Sequence, residues 1–326
     1  MKGIFPFLGA LVLSVSQLVN AAPDTFAEAK VELKQRVYYD TNTRGGELYC
    51  GCKFAWVGKS GGRMDLASCG YVPRSQPTRA ARMEWEHIVP AWVFGHQRQC
   101  WQQGGRKSCE SDPVFSRMEA DMHNLAPSVG EVNGDRSNFA YGALPSAPNE
   151  YGQCTTKVDF QGRTAEPRDE VKGLVARATM YMYDRYGLSM SRQQQQLMMA
   201  WSRMHPVSDW ERERDRRIAA VMGHGNPFVT GERTWTLGYK PTAEGLRNGE
   251  SVFAKPNAPA ARPVQLQANA AKPSAGVQIV GNRNSHKYHL PQGCPGYNQV
   301  GERNRVYFDS AEAAEAAGYS RAGNCR

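Results

Sequence analysis

Beyond its N-terminal segment the sequence has no long apolar run, which excludes a chain that crosses a membrane several times. It also has no internal repeat, so stacked-repeat architectures are set aside. No second Cys-x-x-Cys and no His-x-His lies near Cys50-Gly51-Cys52, so a tetrahedral zinc set is not completed locally. A strong charge excess is missing as well. Lys plus Arg is 40 against 31 for Asp plus Glu, a formal charge of +9 in 326 residues. That balance is compatible with a polyanionic partner but does not demand one. Apolar residues make up 40%, somewhat low for a globular domain and too high for a wholly disordered chain.

What is present begins with an address. Lys2 supplies a positive start, and Ile4 to Leu18 is apolar except for Gly9, Ser14, Ser16 and Gln17. Val19-Asn20-Ala21 offers small residues for signal peptidase, so residues 1–21 are expected to be a signal peptide cleaved after Ala21. The run is too short and too interrupted for a membrane anchor. Export changes the reading of the eight cysteines, Cys50, Cys52, Cys69, Cys100, Cys109, Cys154, Cys294 and Cys325. An even count in an oxidising compartment favours disulfides over metal.

Residues 22–230 read as one continuously folded domain. Residues 231–276 read as an extension and linker, because 254–274 is rich in Ala and Pro and has no apolar period. Aromatic and apolar residues return in 277–326, a small module near the lower size limit for independent folding, which a Cys294–Cys325 disulfide would help to hold. The large domain carries 27 basic and 24 acidic residues, so its positive charge is local, in Arg74, Arg79, Arg82, Arg98, Arg106 and Lys107.

Alternation in Met83–Ile88 predicts a strand, and Pro90 is placed to open a helix at its first position. Ser128 and Glu131 form a capping-box pattern that predicts a helix running through Asn133. Pro167 at the first helical position, followed by Val171, Leu174, Val175 and Ala178, predicts a helix ending near Gly187. Ser191 with Gln194 caps another helix, which stops before Pro206, and Ser208 with Glu211 caps a third, which ends near Gly223. The fold class is therefore α+β, with helices concentrated in the second half of the large domain.

Three segments hold chemistry: Glu84-Trp85-Glu86-His87-Ile88, Gly104-Gly105-Arg106-Lys107, and Asp121 to Asn138. Together they offer a base, hard oxygen ligands and a mobile cation. Hydrolysis of a phosphodiester needs those parts: a base for water, a divalent ion for the developing oxyanion charge, and a guanidinium for the phosphate. Taken singly, each has an ordinary structural reading. A histidine near a strand end is usually scaffold, Gly-Gly-Arg-Lys a surface loop, and Asn133-Gly134 a turn.

In combination the segments resemble the bacterial endonuclease I family of periplasmic or secreted nucleases, which includes the Vibrio nuclease. The matching stretches are YCGC at Tyr49–Cys52, CGY at Cys69–Tyr71, EWEHIVPAWVFG at Glu84–Gly95, the stretch His96–Gln102, GGRK at Gly104–Lys107, MEADMHNLAPSVGEVNGDRSNF at Met118–Phe139, and GHGNPFV at Gly223–Val229. The resemblance implies a ββα-metal (His-Me finger) core with additional helices. It puts His87 at the general base, Glu86 and Asn133 at the protein ligands of one Mg²⁺ (Mn²⁺ as a substitute), and Arg106 at the phosphate contact. A carboxylate and an amide oxygen suit a hard ion rather than zinc. On a regular strand Glu86 and His87 point to opposite faces, which a twisted strand end before Pro90 would relieve. Glu84, on the face of Glu86, is the reserve metal ligand, and His123 and Asn124 read as scaffold. A cysteine that the Vibrio nuclease has near Trp210-Glu211 is Arg212 here, and that relative's last cysteine is also absent, leaving six cysteines for three disulfides in the large domain.

The C-terminal segment resembles a small Ada-type metal-binding-like domain. There His286, His289, Cys294 and Cys325 offer a His₂Cys₂ zinc set, against which an oxidising compartment favours a disulfide. The expectation is a monomeric, periplasmic or secreted, Mg²⁺-dependent endonuclease that cuts DNA and also RNA to 5′-phosphate products without strong sequence preference. Its rivals are a non-catalytic nucleic-acid-binding protein on a decayed nuclease fold, and a zinc hydrolase that uses the cysteines.

Overall fold

The computed structural model describes residues 22–41, 45–247, 250, 279–283, 285–308, 311–316, 319–323 and 325. The expected signal peptide and the Ala/Pro-rich stretch at 254–274 lie outside the described residues. The chain divides into two compact units, Met1–Pro256 and Asn257–Arg326.

The alternating residues around His87 form an interior strand of an antiparallel four-stranded sheet. Its strands, in spatial order, are β1 (Lys53–Val57), β2 (Gly61–Asp65), β3 (Arg82–His87) and β4 (Leu125–Val129). Strands β3 and β4 pair in register from Met83↔Val129 to His87↔Leu125. All five residues of β4 are buried, and the chain passes from Val129 straight into a helix at Gly130–Arg136. This antiparallel pair followed by a helix is the ββα unit that the family resemblance implies.

Around the sheet lie α1 (Phe26–Glu32), α2 (Pro77–Ala80), α3 (Ala91–Gly95), α4 (Gln99–Gly104), α5 (Pro113–Glu119) and α6 (Gly130–Arg136). The helical second half contains α7 (Asp169–Arg185), α8 (Arg192–Met204) and α9 (Asp209–Met222). Its caps follow the sequence signals. Ser191 Oγ accepts from the Gln194 amide, Ser208 Oγ accepts from the Glu211 amide, and Gly223 closes α9 at φ +80°.

Several local expectations are corrected. Pro90 and Pro167 do not take the first helical position: Pro90 is the N-cap of α3, and α7 begins at Asp169 behind the N-cap Arg168. Helix α6 exists, but Ser128 does not cap it. Ser128 belongs to β4, paired with Glu84, and Glu131 accepts from the backbone amides of Arg74, Ser75 and Gln76 and from the Tyr71 hydroxyl. The loop before α2 thus supplies Glu131 with four donors where a capping box would supply one. Asn133-Gly134 is not a turn but lies inside α6, and a Cβ on Gly134 would meet the Arg79 guanidinium at 2.0 Å.

Residues just past 230 pack into the first unit. Trp235 is buried and stacks on Tyr239 at 4.4 Å, and Arg233, Tyr239 and Thr242 all bond the buried Asp184 carboxylate. The six cysteines of this unit form Cys50–Cys154, Cys52–Cys69 and Cys100–Cys109. Cys50 and Cys52 go to different partners, which removes the zinc reading of that pair and with it the zinc hydrolase.

In the second unit β8 (Ile279–Asn282), β9 (Lys287–His289), β10 (Arg305–Phe308) and β11 (Ser320–Arg321) form a sheet in the order β10-β8-β9-β11, once β5 (Ala140–Tyr141), β6 (Lys157–Asp159) and β7 (Thr164–Glu166) of the first unit are numbered. A small apolar core of Ile279, Tyr288, Ala314 and Tyr319 holds it, with the Cys294–Cys325 disulfide. His289 lies close to both sulfurs, whereas the His286 ring packs against Tyr319 at 5.1 Å. The favoured disulfide is formed, and the four-residue zinc set is not assembled. No helix among the described residues is long and apolar enough to cross a membrane.

Candidate active site

A cleft of about 750 Å³ opens beside the end of β3, and its lining includes Glu84, Glu86, His87, Arg106, Asn133 and Arg136. The four residues singled out from the sequence therefore share one cavity. Glu86 and His87 do leave the strand in different directions, as adjacent strand residues must. The Glu86 carboxylate reaches Arg136 at the end of α6, and the His87 ring reaches the last residue of α5. The cleft lies where these directions converge. The chain after His87 is fixed by Asn124, whose Oδ1 accepts from the Val89 amide at 2.7 Å and whose Nδ2 donates to the Val89 carbonyl at 2.9 Å. His123 is fully buried against the His224 carbonyl and Asp215, away from the cleft. Both occupy scaffold positions.

The tautomer of His87 is set by its partner. Nε2 lies 2.9 Å from the Glu119 carbonyl oxygen, which can only accept, so Nε2 carries the proton and Nδ1 keeps a lone pair. Burial, and then the Arg106 charge, push its pKa down to about 3. The imidazole is thus neutral near neutral pH, the state a general base requires. Phe26 of α1 packs on the ring at 4.8 Å.

Arg106 is steadied rather than mobile. It sits inside the loop closed by Cys100–Cys109, and Arg98 and Asp112, which flank that loop in sequence, form a buried ion pair at 2.8 Å. Its Nε donates to the Glu119 side chain, and its own side chain stays 45% exposed, which leaves it accessible to a ligand in the cleft. Glu119 therefore holds the base through its carbonyl and the cation through its carboxylate. Four other members of the local basic cluster are already paired: Arg74 with Asp135, Arg79 and Arg82 with Glu84, and Arg98 with Asp112.

The oxygen ligands are oriented from behind. Asn133 Nδ2 donates to Glu84 Oε2 at 3.2 Å, and since a carboxylate cannot donate, the amide orientation is settled and Oδ1 is directed away from Glu84. Glu84 is held by Arg79 through two hydrogen bonds, so this reserve ligand positions Asn133 instead. Glu86 is 2% exposed. Its Oε1 accepts from Arg136 at 2.8 Å and from the Tyr49 hydroxyl at 2.6 Å. Because the Tyr49 hydroxyl hydrogen is engaged in the bond to Glu86, Tyr49 accepts from the Tyr141 hydroxyl at 2.9 Å. Burial pushes the Glu86 carboxyl upward while Arg136 and Tyr49 work against it. Two hard oxygens, one anionic and one an amide, facing a common cleft form a donor set that fits a divalent magnesium-type ion.

The family model described as Endonuclease I matches residues 25–232. The chain belongs to the endonuclease I family. It is accordingly an endonuclease, a hydrolase of phosphodiester bonds, which removes the reading of a decayed, non-catalytic binding protein. The chain is 46% identical over 223 residues to a periplasmic deoxyribonuclease of Aeromonas hydrophila, covering 68% of this chain and 92% of the relative. To an extracellular deoxyribonuclease of the same organism it is 50% identical over 226 residues, 68% of this chain and 97% of the relative. An extracellular ribonuclease of Bacillus subtilis is 31% identical over 127 residues, 33% of this chain and 43% of that protein. A second family model, described as ArfC, matches residues 256–321.

Tyr49, Glu119, Arg136 and Phe26 were not singled out from the sequence. Three of them lay inside matched stretches, Tyr49 at the head of YCGC and Glu119 and Arg136 within Met118–Phe139, while Phe26 lay in none.

Proposed function

We propose that this protein is a Mg²⁺-dependent endonuclease that cleaves DNA, and RNA as well, to 5′-phosphate products in the periplasm or outside the cell, without strong sequence preference. The observation that carries the reading is the fixed His87 tautomer, with a neutral Nδ1 in the same cleft as Glu86, Asn133 and Arg106. His87 Nδ1 takes a proton from the attacking water. Arg106 holds a non-bridging phosphate oxygen, and Glu119 keeps base and cation in register. Glu86 and Asn133 would hold the ion, which would supply positive charge for the developing oxyanion and the leaving 3′ oxygen. Contacts to phosphate oxygens carry no base code, which supports cleavage without sequence preference. The names of the two deoxyribonuclease relatives support DNA and an exported location, and that of the ribonuclease relative supports RNA.

Purified protein is expected to linearise and degrade plasmid with Mg²⁺ and to stop on adding EDTA. Its fragments should accept label from polynucleotide kinase only after phosphatase treatment. Cleavage that continues in EDTA would remove the ion from the reaction, and direct labelling would place the phosphate on the 3′ side.

Removing residues 257–326 is expected to leave the rate on a short duplex intact, since every residue assigned to the chemistry lies in the first unit. Binding to long DNA should weaken modestly and show a shallower salt dependence, because basic residues of the second unit are lost. A truncated chain with a folded circular dichroism spectrum but no activity on the short duplex would show that the second unit completes the site.

A further inference from the structure

Of the aromatic residues that line the cleft, Phe26, Trp85, Trp92 and Trp101, one is exposed, and hydrolysis as described gives it no task. Trp92, at the start of α3, lines the cavity together with His87, Glu86 and Arg106. It is 42% exposed, while the other six tryptophans are buried or half-buried. One face of the indole is covered by the His96 ring, with centroids 3.7 Å apart and planes 4° from parallel. That imidazole is itself fixed. Its Nδ1 lies 2.6 Å from the Trp92 carbonyl oxygen, which can only accept, and the His96 carbonyl takes a bond from Gln102. The result is a flat plate with a rigid back, and its exposed surface is at the cleft. Arg106 and Lys30 line the same cavity, so a ligand bound there has both the plate and cations within one cleft.

A flat π-surface that shares its cleft with cations matches one repeating chemistry, a planar base attached to a phosphate chain. We propose that Trp92, backed by His96, is a stacking platform for a nucleobase next to the cleaved phosphodiester, which makes single strands and unpaired positions better substrates than regular duplex. A base in a duplex is already stacked on both faces and must leave its neighbours to reach the plate, whereas a base in a single strand gives up less. The assignment rests on the cleft being the catalytic site, and the test separates the two.

Labelled single-stranded oligonucleotides, each carrying one abasic position, are cut with Mg²⁺ and the rate at every bond is read on a sequencing gel. The wild type should show a local dip of roughly tenfold at one bond beside the abasic position, the size that base–aromatic stacking supports. Trp92→Leu should cut that bond at the rate of its neighbours, and its preference for single strand over duplex should fall by roughly the same factor. Trp92→Phe keeps a ring and should keep the dip. The per-bond comparison is internal to each digest, so a general loss of activity or stability does not mimic it. A wild type with no dip, or a Trp92→Leu variant with the wild-type dip, overturns the platform. His87→Ala in the same assay reports on the cleft alone: if it cuts every bond at the wild-type rate, the catalytic site lies elsewhere and the platform falls with it.

Discussion

Replacing His87 with alanine lowers plasmid cleavage by at least about a hundredfold, because a positioned general base contributes about 10²–10⁴. The expectation rests on the ring's fixed state. The Glu119 carbonyl holds the Nε2 proton, and burial with the Arg106 charge keeps the ring neutral, so Nδ1 has a lone pair for the proton of water. No other imidazole lines the cleft among the described residues. Because the ring is buried, the variant leaves a small cavity, and circular dichroism must show that the fold survives. Imidazole added to the solution should restore part of the lost rate, which a merely structural histidine would not allow. Unchanged turnover in the folded variant would take His87 out of the mechanism.

The residues assigned to the candidate site were legible because they lie on short collinear stretches of the sequence. The alternation around Glu86 and His87 placed β3, and the helix expected through Asn133 is α6, whereas β4 was not expected from the sequence. The tension between Glu86 and His87 was legible too, since it follows from strand geometry alone. What sequence could not express was how each group is held. Tyr49 and Phe26 come from distant segments, and a tyrosine or phenylalanine there has many ordinary uses. Arg136 follows an Asn-Gly-Asp run that suggests a surface turn, yet its side chain is buried beneath the site. Ser128 and Glu131 satisfied a capping pattern in spacing only. Tertiary donors in the loop at Arg74–Gln76 outcompeted the local bond, and strand pairing claimed Ser128.

Arg136→Met is expected to cost about 3–5 kcal/mol of stability, the range for leaving a buried charge without its partner. The guanidinium is 1% exposed and makes three bonds behind the site: to Glu86 Oε1 at 2.8 Å, to the His87 carbonyl at 2.9 Å and to the Ile88 carbonyl at 2.6 Å. It therefore fixes the end of β3 and balances the carboxylate assigned to the ion. In a domain of this size the loss corresponds to a fall in melting temperature of roughly 10 °C. Methionine keeps much of the volume, so the loss reports charge and hydrogen bonds more than a cavity. Without Arg136, burial is left to raise the Glu86 carboxyl further, and the variant should need more Mg²⁺ for half-maximal cleavage. Adding Glu86→Gln to Arg136→Met separates the causes. The neutral amide no longer needs a cation and can still accept from Tyr49, so the double variant should recover part of the stability while staying inactive. Two backbone carbonyls still lack their donor, so recovery is incomplete. If the double variant is no more stable than Arg136→Met alone, the backbone clamp at His87 and Ile88 accounts for the role of Arg136, and balance of the Glu86 charge does not.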